Sequence, residues 1–172
     1  MDLNKLSTGD KVLGGSGIAL FIFGFFPWFG VSGYDGGRNA WDFFFWGIIP
    51  VLIGLLLIGY VVATKLADGV NLPDLPVPYP LAVLGLAALA ALLVILKLLI
   101  GDSVGLGPLG GEIDLDRKAG IFLSALAALG LAAGGFLKFQ EEGGELPNKR
   151  GGPGTTSSGS TGDGSGGAPT PF

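Results

Sequence analysis

Four long apolar stretches constrain what this chain can fold into more than any other feature of its sequence. They cover residues 12–30, 43–64, 81–100 and 119–137. An α-helix rises about 1.5 Å per residue, so about 20 residues cross a hydrocarbon core of roughly 30 Å. Only Lys97 places a full charge well inside one of these stretches. The sequence therefore predicts an all-α fold, an integral membrane four-helix bundle with short loops.

Composition supports this class and excludes several kinds of site. Mean hydropathy is +0.61 and charged residues make up 14% of the chain, well below the roughly one quarter that is typical of a soluble domain. The net charge is −4 without a basic stripe, so nucleic acid is not an expected partner. Cysteine and histidine do not occur, which removes disulfides, thiolate metal sites and the commonest general base.

No pair of nucleophile and base can be assembled from the sequence. Ser16 and Ser124 lie within spans, but no carboxylate accompanies them there. A G-x-G-x-x-G motif occupies residues 105–110, yet it follows an apolar span and contains Pro108, whereas dinucleotide binding requires a strand before the motif and a helix after it. We therefore expect a loop here, no enzymatic activity and no cofactor.

The chain divides into a transmembrane domain, residues 1–140, and a tail, residues 141–172. The tail is almost wholly Gly, Ser, Thr and Pro from residue 151, so it has no apolar surface to offset the entropy cost of ordering. A disordered spacer is predicted; the alternative is a docking segment with Pro171 and Phe172 as its apolar end. Four prolines within residues 65–80 predict an extended link between the second and third spans.

The first helix is predicted to begin near Thr8. Ser7 followed three residues later by Asp10 fits a capping box. The apolar run that follows has about 19 residues, longer than the roughly 7–15 of a signal peptide core. We therefore expect this span to be retained as a signal anchor rather than cleaved.

Basic residues next to the spans predict the orientation. With both termini cytoplasmic in the plasma membrane, the cytoplasmic side holds more of them than the opposite side. The cytoplasmic set is Lys5, Lys11, Lys65, Lys138, Lys149 and Arg150. The opposite set is Arg38, Arg117 and Lys118, with Lys97 close to it.

Small residues four positions apart predict where helices touch, because close backbone approach holds helices together in lipid. The candidate packing residues are Gly120, Ser124, Ala128 and Ala132 in the last span and Ala87 and Ala91 in the third. A second row runs from Gly130 to Gly134. We expect these rows to mark the contact between the third and fourth spans; the alternative is a dimer interface.

Lys97 and Pro50 are the irregular residues inside the spans. Lys97 lies three residues before Ile100, so its stem is expected to extend its charge to the headgroups; the alternative is a place in a permeation path. Pro50 is expected to kink the second span. Such a kink shapes packing more often than it serves gating.

The third loop carries the acidic residues Glu112, Asp114 and Asp116 in alternation with apolar ones. In an extended segment, alternation places three carboxylates on one face, and hard cations prefer oxygen ligands. They are weak candidates for a calcium or magnesium site. The stronger expectation is a solvated acidic loop without a metal.

The start of the chain resembles a known group of proteins. Residues 6–11, Leu-Ser-Thr-Gly-Asp-Lys, and an apolar span that ends in Phe-Pro-Trp-Phe at 26–29 look like small four-span membrane proteins of high-GC Gram-positive (actinobacterial) bacteria. This resemblance implies no particular activity. The predicted role is an accessory or interaction component of the cell envelope; the alternative is a small transporter or channel subunit. Expected partners are the lipid bilayer and either another membrane protein or a second copy.

Overall fold

The computed structural model describes residues 6–33, 36–65, 76–105 and 110–143. Its four α-helices are α1 (Thr8–Phe23), α2 (Ile49–Lys65), α3 (Tyr79–Ile100) and α4 (Ala119–Glu141). Most of the predicted proline-rich link, the centre of the glycine motif and the predicted tail beyond Gly143 lie outside the described residues.

Helix α1 begins where the sequence predicts it and ends earlier. The Asp10 N–H donates to Ser7 Oγ at 3.1 Å and the Ser7 N–H donates to Asp10 Oδ2 at 3.2 Å, which confirms the capping box. The helix ends at Phe23 after 16 residues, although the apolar stretch continues to residue 30. Because Pro27 disfavours helical backbone before it, the chain turns, and the Trp28 N–H donates to the Arg38 carbonyl at 2.7 Å.

Three helical segments are long and apolar enough to cross a membrane. They are Phe44–Lys65, which joins a π-helical turn to α2, and the whole of α3 and of α4, with 22, 22 and 23 residues. These three segments are compatible with a membrane protein. Helix α1, at 16 residues, is about 24 Å long. Three of the four expected spans therefore correspond to helices of sufficient length and hydropathy, and the four-span bundle stays a prediction.

The π-helical turn, Phe44–Ile48, ends two residues before Pro50. A proline lacks an N–H and crowds the carbonyl four residues earlier, so a regular helix is disrupted just before it. The wider turn accommodates that disruption, and the Ile48 N–H donates to the Phe43 carbonyl at 3.0 Å. The π-helical turn lies next to the position where a kink is predicted, and the kink itself stays a prediction.

Two short antiparallel ribbons join the loops at one end of the helices. Strand β1 (Phe29–Gly30) pairs with β4 (Asp116–Arg117), and β2 (Ser103–Gly105) pairs with β3 (Glu112–Asp114). The all-α prediction did not include them. They pair backbone groups that would otherwise lack partners between the helices.

The helices pack side by side in a closed order. Helix α4 packs against α1 and α3, and α2 packs against the same two helices. Glycines permit close approach: a Cβ at Gly134 would lie 2.5 Å from the Leu13 N atom in α1. The interior is apolar, and so is the outer surface, where Leu56 is 59% and Leu126 is 67% exposed. An apolar surface of this extent is typical of contact with lipid or with a partner.

Candidate functional site

The strongest candidate sites are two clusters of buried charge at opposite ends of the helices. The Lys138 cluster consists of Asp10, Tyr60, Lys138 and Glu142. Lys138 Nζ lies 2.6 Å from Asp10 Oδ1 and 3.0 Å from Glu142 Oε1. The side chains of Lys138 and Asp10 are 1% and 0% exposed, so each requires the other as a partner. The Tyr60 ring centroid lies 5.3 Å from Lys138 Nζ, which adds a cation–π contact.

The Lys138 cluster brings the first turn of α1 to the last turns of α4. The Gly9 N–H donates to Glu141 Oε1 at 3.1 Å. A Cβ at Gly9 would lie 2.7 Å from the Lys138 N atom, so a glycine is needed for this approach. The first and last described helices therefore meet at one end of the molecule.

The Lys97 cluster lies at the other end and consists of Phe29, Arg38, Phe43, Lys97 and Asp102. Lys97 Nζ lies 3.0 Å from Asp102 Oδ1, and Arg38 Nη1 lies 2.9 Å from Asp102 Oδ2. Lys97 also donates to the Gly101 carbonyl at 2.9 Å. Its Nζ lies 4.3 Å from the centroid of the Phe43 ring and 5.1 Å from that of Phe29.

This environment differs from the one predicted for Lys97. We expected its charge to extend to the headgroups, but the residue is 6% exposed and paired within the protein. The reason is that Asp102 lies two residues after the end of α3, within reach of the lysine side chain. This carboxylate, the Gly101 carbonyl and the neighbouring aromatic rings together keep the ammonium group buried.

Asp102 is the titratable centre of the Lys97 cluster. Burial alone would raise the pKa of its carboxyl group, but hydrogen bonds from Arg38 and Lys97 and the charges of these residues act in the opposite direction and outweigh it. The pKa of Asp102 is therefore lowered from its ordinary value of 3.8. The carboxylate form bridges an exposed arginine and a buried lysine at neutral pH.

A polar cleft opens beside the Lys97 cluster, at the end of α3. Its volume is about 440 Å³, and its lining includes Lys97, Ile100, Asp102, Ser103, Asp114 and Arg117. Arg117 donates from Nε to the Leu98 carbonyl at 2.7 Å and from Nη2 to the Leu99 carbonyl at 3.1 Å. It thereby satisfies carbonyls that the end of α3 leaves without helical partners.

The packing residues predicted for α4 face two different neighbours, the segment after α1 and helix α3. Ser124 accepts a hydrogen bond from Trp28 Nε1 at 3.1 Å, and both are fully buried. A Cβ at Gly120 would collide with the Pro27 carbonyl, and one at Gly135 would lie 3.0 Å from the Cβ of Ala87. Helix α4 thus faces the segment after α1 with Gly120 and Ser124, and it faces α3 near Ala87.

The other predicted packing residues divide in the same way. The row from Gly130 to Gly134 faces Ser16 and Leu13 of α1 rather than α3. Ala128 is fully buried, Ala91 is 5% exposed, and Ala132 is partly buried against the core. The rows predicted to mark one helix pair therefore serve two, because α4 lies between α1 and α3.

The acidic residues of the third loop do not converge on one point. Glu112 and Asp114 belong to β3, whereas Asp116 belongs to β4 and accepts a hydrogen bond from Ser32. In the described part of the chain, no group of three or more acidic side chains could hold a metal ion. The extended conformation was predicted correctly, but two separate ribbons divide the three residues.

Sequence reasoning missed the pairing of Asp10 with Lys138 and that of Lys97 with Asp102. Asp10 was recognised only as a helix cap, and Lys138 only as a basic residue beside a span. A usable signal existed for the second pair, because an acidic residue five positions after a lysine at a helix end lies within its reach. Comparison with protein families, curated proteins and solved structures finds no match to this chain.

Proposed function

We propose that this chain is a non-enzymatic integral membrane protein of the plasma membrane, with four crossing helices and both termini cytoplasmic. The distribution of polarity carries the proposal. Among the described residues, the buried charges lie in the two end clusters, where they are paired, and apolar side chains cover the helices between them. This arrangement suits a hydrocarbon environment, where an unpaired polar group is costly.

The proposed crossing of α1 rests on its packing. It lies against α2 and α4, and a Cβ at Gly17 would lie 3.1 Å from the Gly54 carbonyl of α2. Its outward side chains are apolar, with Ile18 52% and Ile22 49% exposed. The exposed Phe25 and Phe26 follow the helix and extend its apolar surface beyond the last helical turn. Helix α1 and the turn that follows it would together cross the hydrocarbon core, which α1 alone is too short to do.

The proposed orientation rests on the basic residues flanking the spans. If all four helices cross, the Lys138 cluster lies on one side of the bilayer and the Lys97 cluster on the other. The side of the Lys138 cluster carries six basic residues by sequence, against four at the opposite end. That excess favours a cytoplasmic Lys138 cluster.

The proposed role is an accessory or interaction component of the cell envelope, in a bacterium of the group that the chain resembles. Glycines on the outer surface support it. Cβ atoms at Gly15 in α1, Gly59 in α2 and Gly85 in α3 would meet nothing within 4 Å. Exposed small residues on a membrane helix allow another helix to approach closely.

The alternative, a small transporter or channel subunit, requires polar groups through the middle of the helices. Between the two clusters, Ser124 is the one buried polar side chain of the described residues, and it is bonded to Trp28. A core of this kind favours the interaction role. Ion or solute flux through proteoliposomes containing the purified protein would contradict it.

Single-cysteine labelling tests the topology, because the chain has no cysteine. Ser7→Cys, Ser103→Cys and Gln140→Cys are labelled in intact cells with an impermeant maleimide. Four crossings with cytoplasmic termini predict labelling of position 103 alone. If α1 does not cross, Ser7 and Gln140 will lie on opposite sides. Labelling of positions 7 and 140 without 103 would reverse the orientation.

A further inference from the structure

The geometry points to a binding site for a zwitterionic phospholipid headgroup, with a phosphate and a primary ammonium group, in the cleft beside Arg117. This inference rests on the membrane placement proposed above. The cleft lies where α3 ends, and its volume of about 440 Å³ falls within the range of roughly 300–1,000 Å³ found for small-molecule sites.

The charges that line the cleft are balanced. Two cations, Lys97 and Arg117, face two carboxylates, Asp102 and Asp114. Asp102 is already engaged by Lys97 at 3.0 Å and, from outside the lining, by Arg38 at 2.9 Å. Arg117 and Asp114 are then left as a separate positive and negative group. A ligand with one charge of each sign complements this pair better than a purely anionic one does.

Arg117 is suited to the phosphate. Its Nε and Nη2 atoms are held by the Leu98 and Leu99 carbonyls, which fix the guanidinium plane. Its Nη1 atom has no hydrogen-bond partner among the described residues, so it is available to a phosphate oxygen.

Asp114 is suited to the ammonium group. It lies on the exposed strand β3, and its carboxylate forms no ion pair or hydrogen bond within the described ranges. A primary ammonium donates hydrogen bonds to such a carboxylate, whereas a trimethylated one does not. Asp114 therefore distinguishes ethanolamine from choline and glycerol headgroups.

The surroundings of the cleft explain why the ligand is a lipid. Leu99 and Ile100 end α3 beside the cleft and are 68% and 67% exposed. In the proposed placement they lie at the boundary of the hydrocarbon, where acyl chains would cover them. The headgroup would then lie above, between Arg117 and Asp114.

The test uses the full chain in detergent with phosphatidylethanolamine, phosphatidylcholine and phosphatidylglycerol of identical acyl chains. Binding is followed by native mass spectrometry and by the rise in melting temperature that ligand binding produces. We expect the ethanolamine lipid to bind about tenfold more tightly than the other two, the effect of one charge-assisted hydrogen bond. Asp114→Asn should abolish this preference, and Arg117→Gln should weaken binding of all three lipids.

Glu112→Gln, on the same strand but outside the cleft lining, is the matched control and should keep the preference. Equal binding of the three lipids, or an unchanged preference in Asp114→Asn, would overturn the site. If soluble phosphoethanolamine binds as tightly as the lipid, the inference that the ligand is a lipid would be overturned. A protein that stays in solution without detergent would overturn the membrane placement, whereas one that needs detergent but has no headgroup preference would overturn the site alone.

Discussion

Asp10 and Lys138 are separated by 128 positions in the sequence, yet Asp10 Oδ1 and Lys138 Nζ lie 2.6 Å apart in a buried ion pair. Asp10 is also the residue that closes the capping box of α1. One carboxylate therefore both initiates the first helix and joins it to the last. The pair fixes the rotation of α1 against α4 as well as their separation, because neither group can turn away without losing its partner.

Lys138→Met should destabilise the protein strongly. Removal of one member of a buried ion pair leaves the other charge buried and typically costs about 3–5 kcal/mol. The measurement is thermal unfolding of the detergent-solubilised protein. Glu142→Gln is the control, because Glu142 is 32% exposed and its loss should cost about 1 kcal/mol or less.

Combining Asp10→Asn with Lys138→Met separates the cost of an unpaired charge from a general loss of packing. The double variant should recover part of the stability lost in Lys138→Met, since no charge is left unpaired. A double variant less stable than both single variants would contradict this account of the Lys138 cluster.

Ser124→Ala should destabilise by leaving a buried indole N–H without an acceptor. The Trp28 Nε1–Ser124 Oγ distance is 3.1 Å and both residues are fully buried, so about 1–3 kcal/mol is expected. Trp28→Phe removes the donor as well, and the loss from Ser124→Ala should be smaller in that background. Equal losses in the two backgrounds would show that the hydrogen bond contributes nothing.

Gly134→Ala and Gly15→Ala should have opposite effects on stability. A Cβ at Gly134 would lie 2.5 Å from the Leu13 N atom, so α1 and α4 must separate, whereas Gly15 has no neighbour within 4 Å. Overpacking costs about 1–3 kcal/mol, while an exposed Gly→Ala in a helix stabilises by up to about 1 kcal/mol. Gly134→Ala should melt below the parent protein and Gly15→Ala above it. A Gly134→Ala variant that melts above the parent would refute the α1–α4 contact.

Asp102 should make stability depend on pH in the acidic range. Because its pKa is lowered in the folded protein from 3.8, the stabilisation is fully present above the unfolded value and is lost as pH falls through the folded value. Asp102→Asn should be less stable than the parent at pH 7, and the difference should shrink as the pH is lowered below 4. A difference that stays constant across this range would exclude the ionised carboxylate as its cause.

The sequence predicted those features that depend on local composition. The spans at 43–64, 81–100 and 119–137 correspond to long apolar helices at Phe44–Lys65, Tyr79–Ile100 and Ala119–Glu141, because chain length and hydropathy are properties of each segment alone. The capping box of Ser7 and Asp10 was equally local.

Features that depend on contacts between distant segments were not predictable in this way. The pairing of Phe29 with Arg117 in the β1–β4 ribbon requires the ends of α1 and α4 to meet, and no pattern near either residue indicates it. The rotation of α4 also decides that Gly134 faces α1 while Gly135 faces Ala87 of α3. Small-residue spacing reveals a close approach but not which helix approaches.

The location of the Asp10 partner has a consequence for biosynthesis. A ribosome adds about 5–20 residues per second, so the 128 positions between Asp10 and Lys138 correspond to a delay of roughly 6–25 seconds. During that time the first helix has been made while the last one has not left the ribosome. The newly made chain therefore carries an Asp10 carboxylate whose Lys138 partner arrives only with the final helix, so the docking of α1 in its final orientation awaits the end of synthesis.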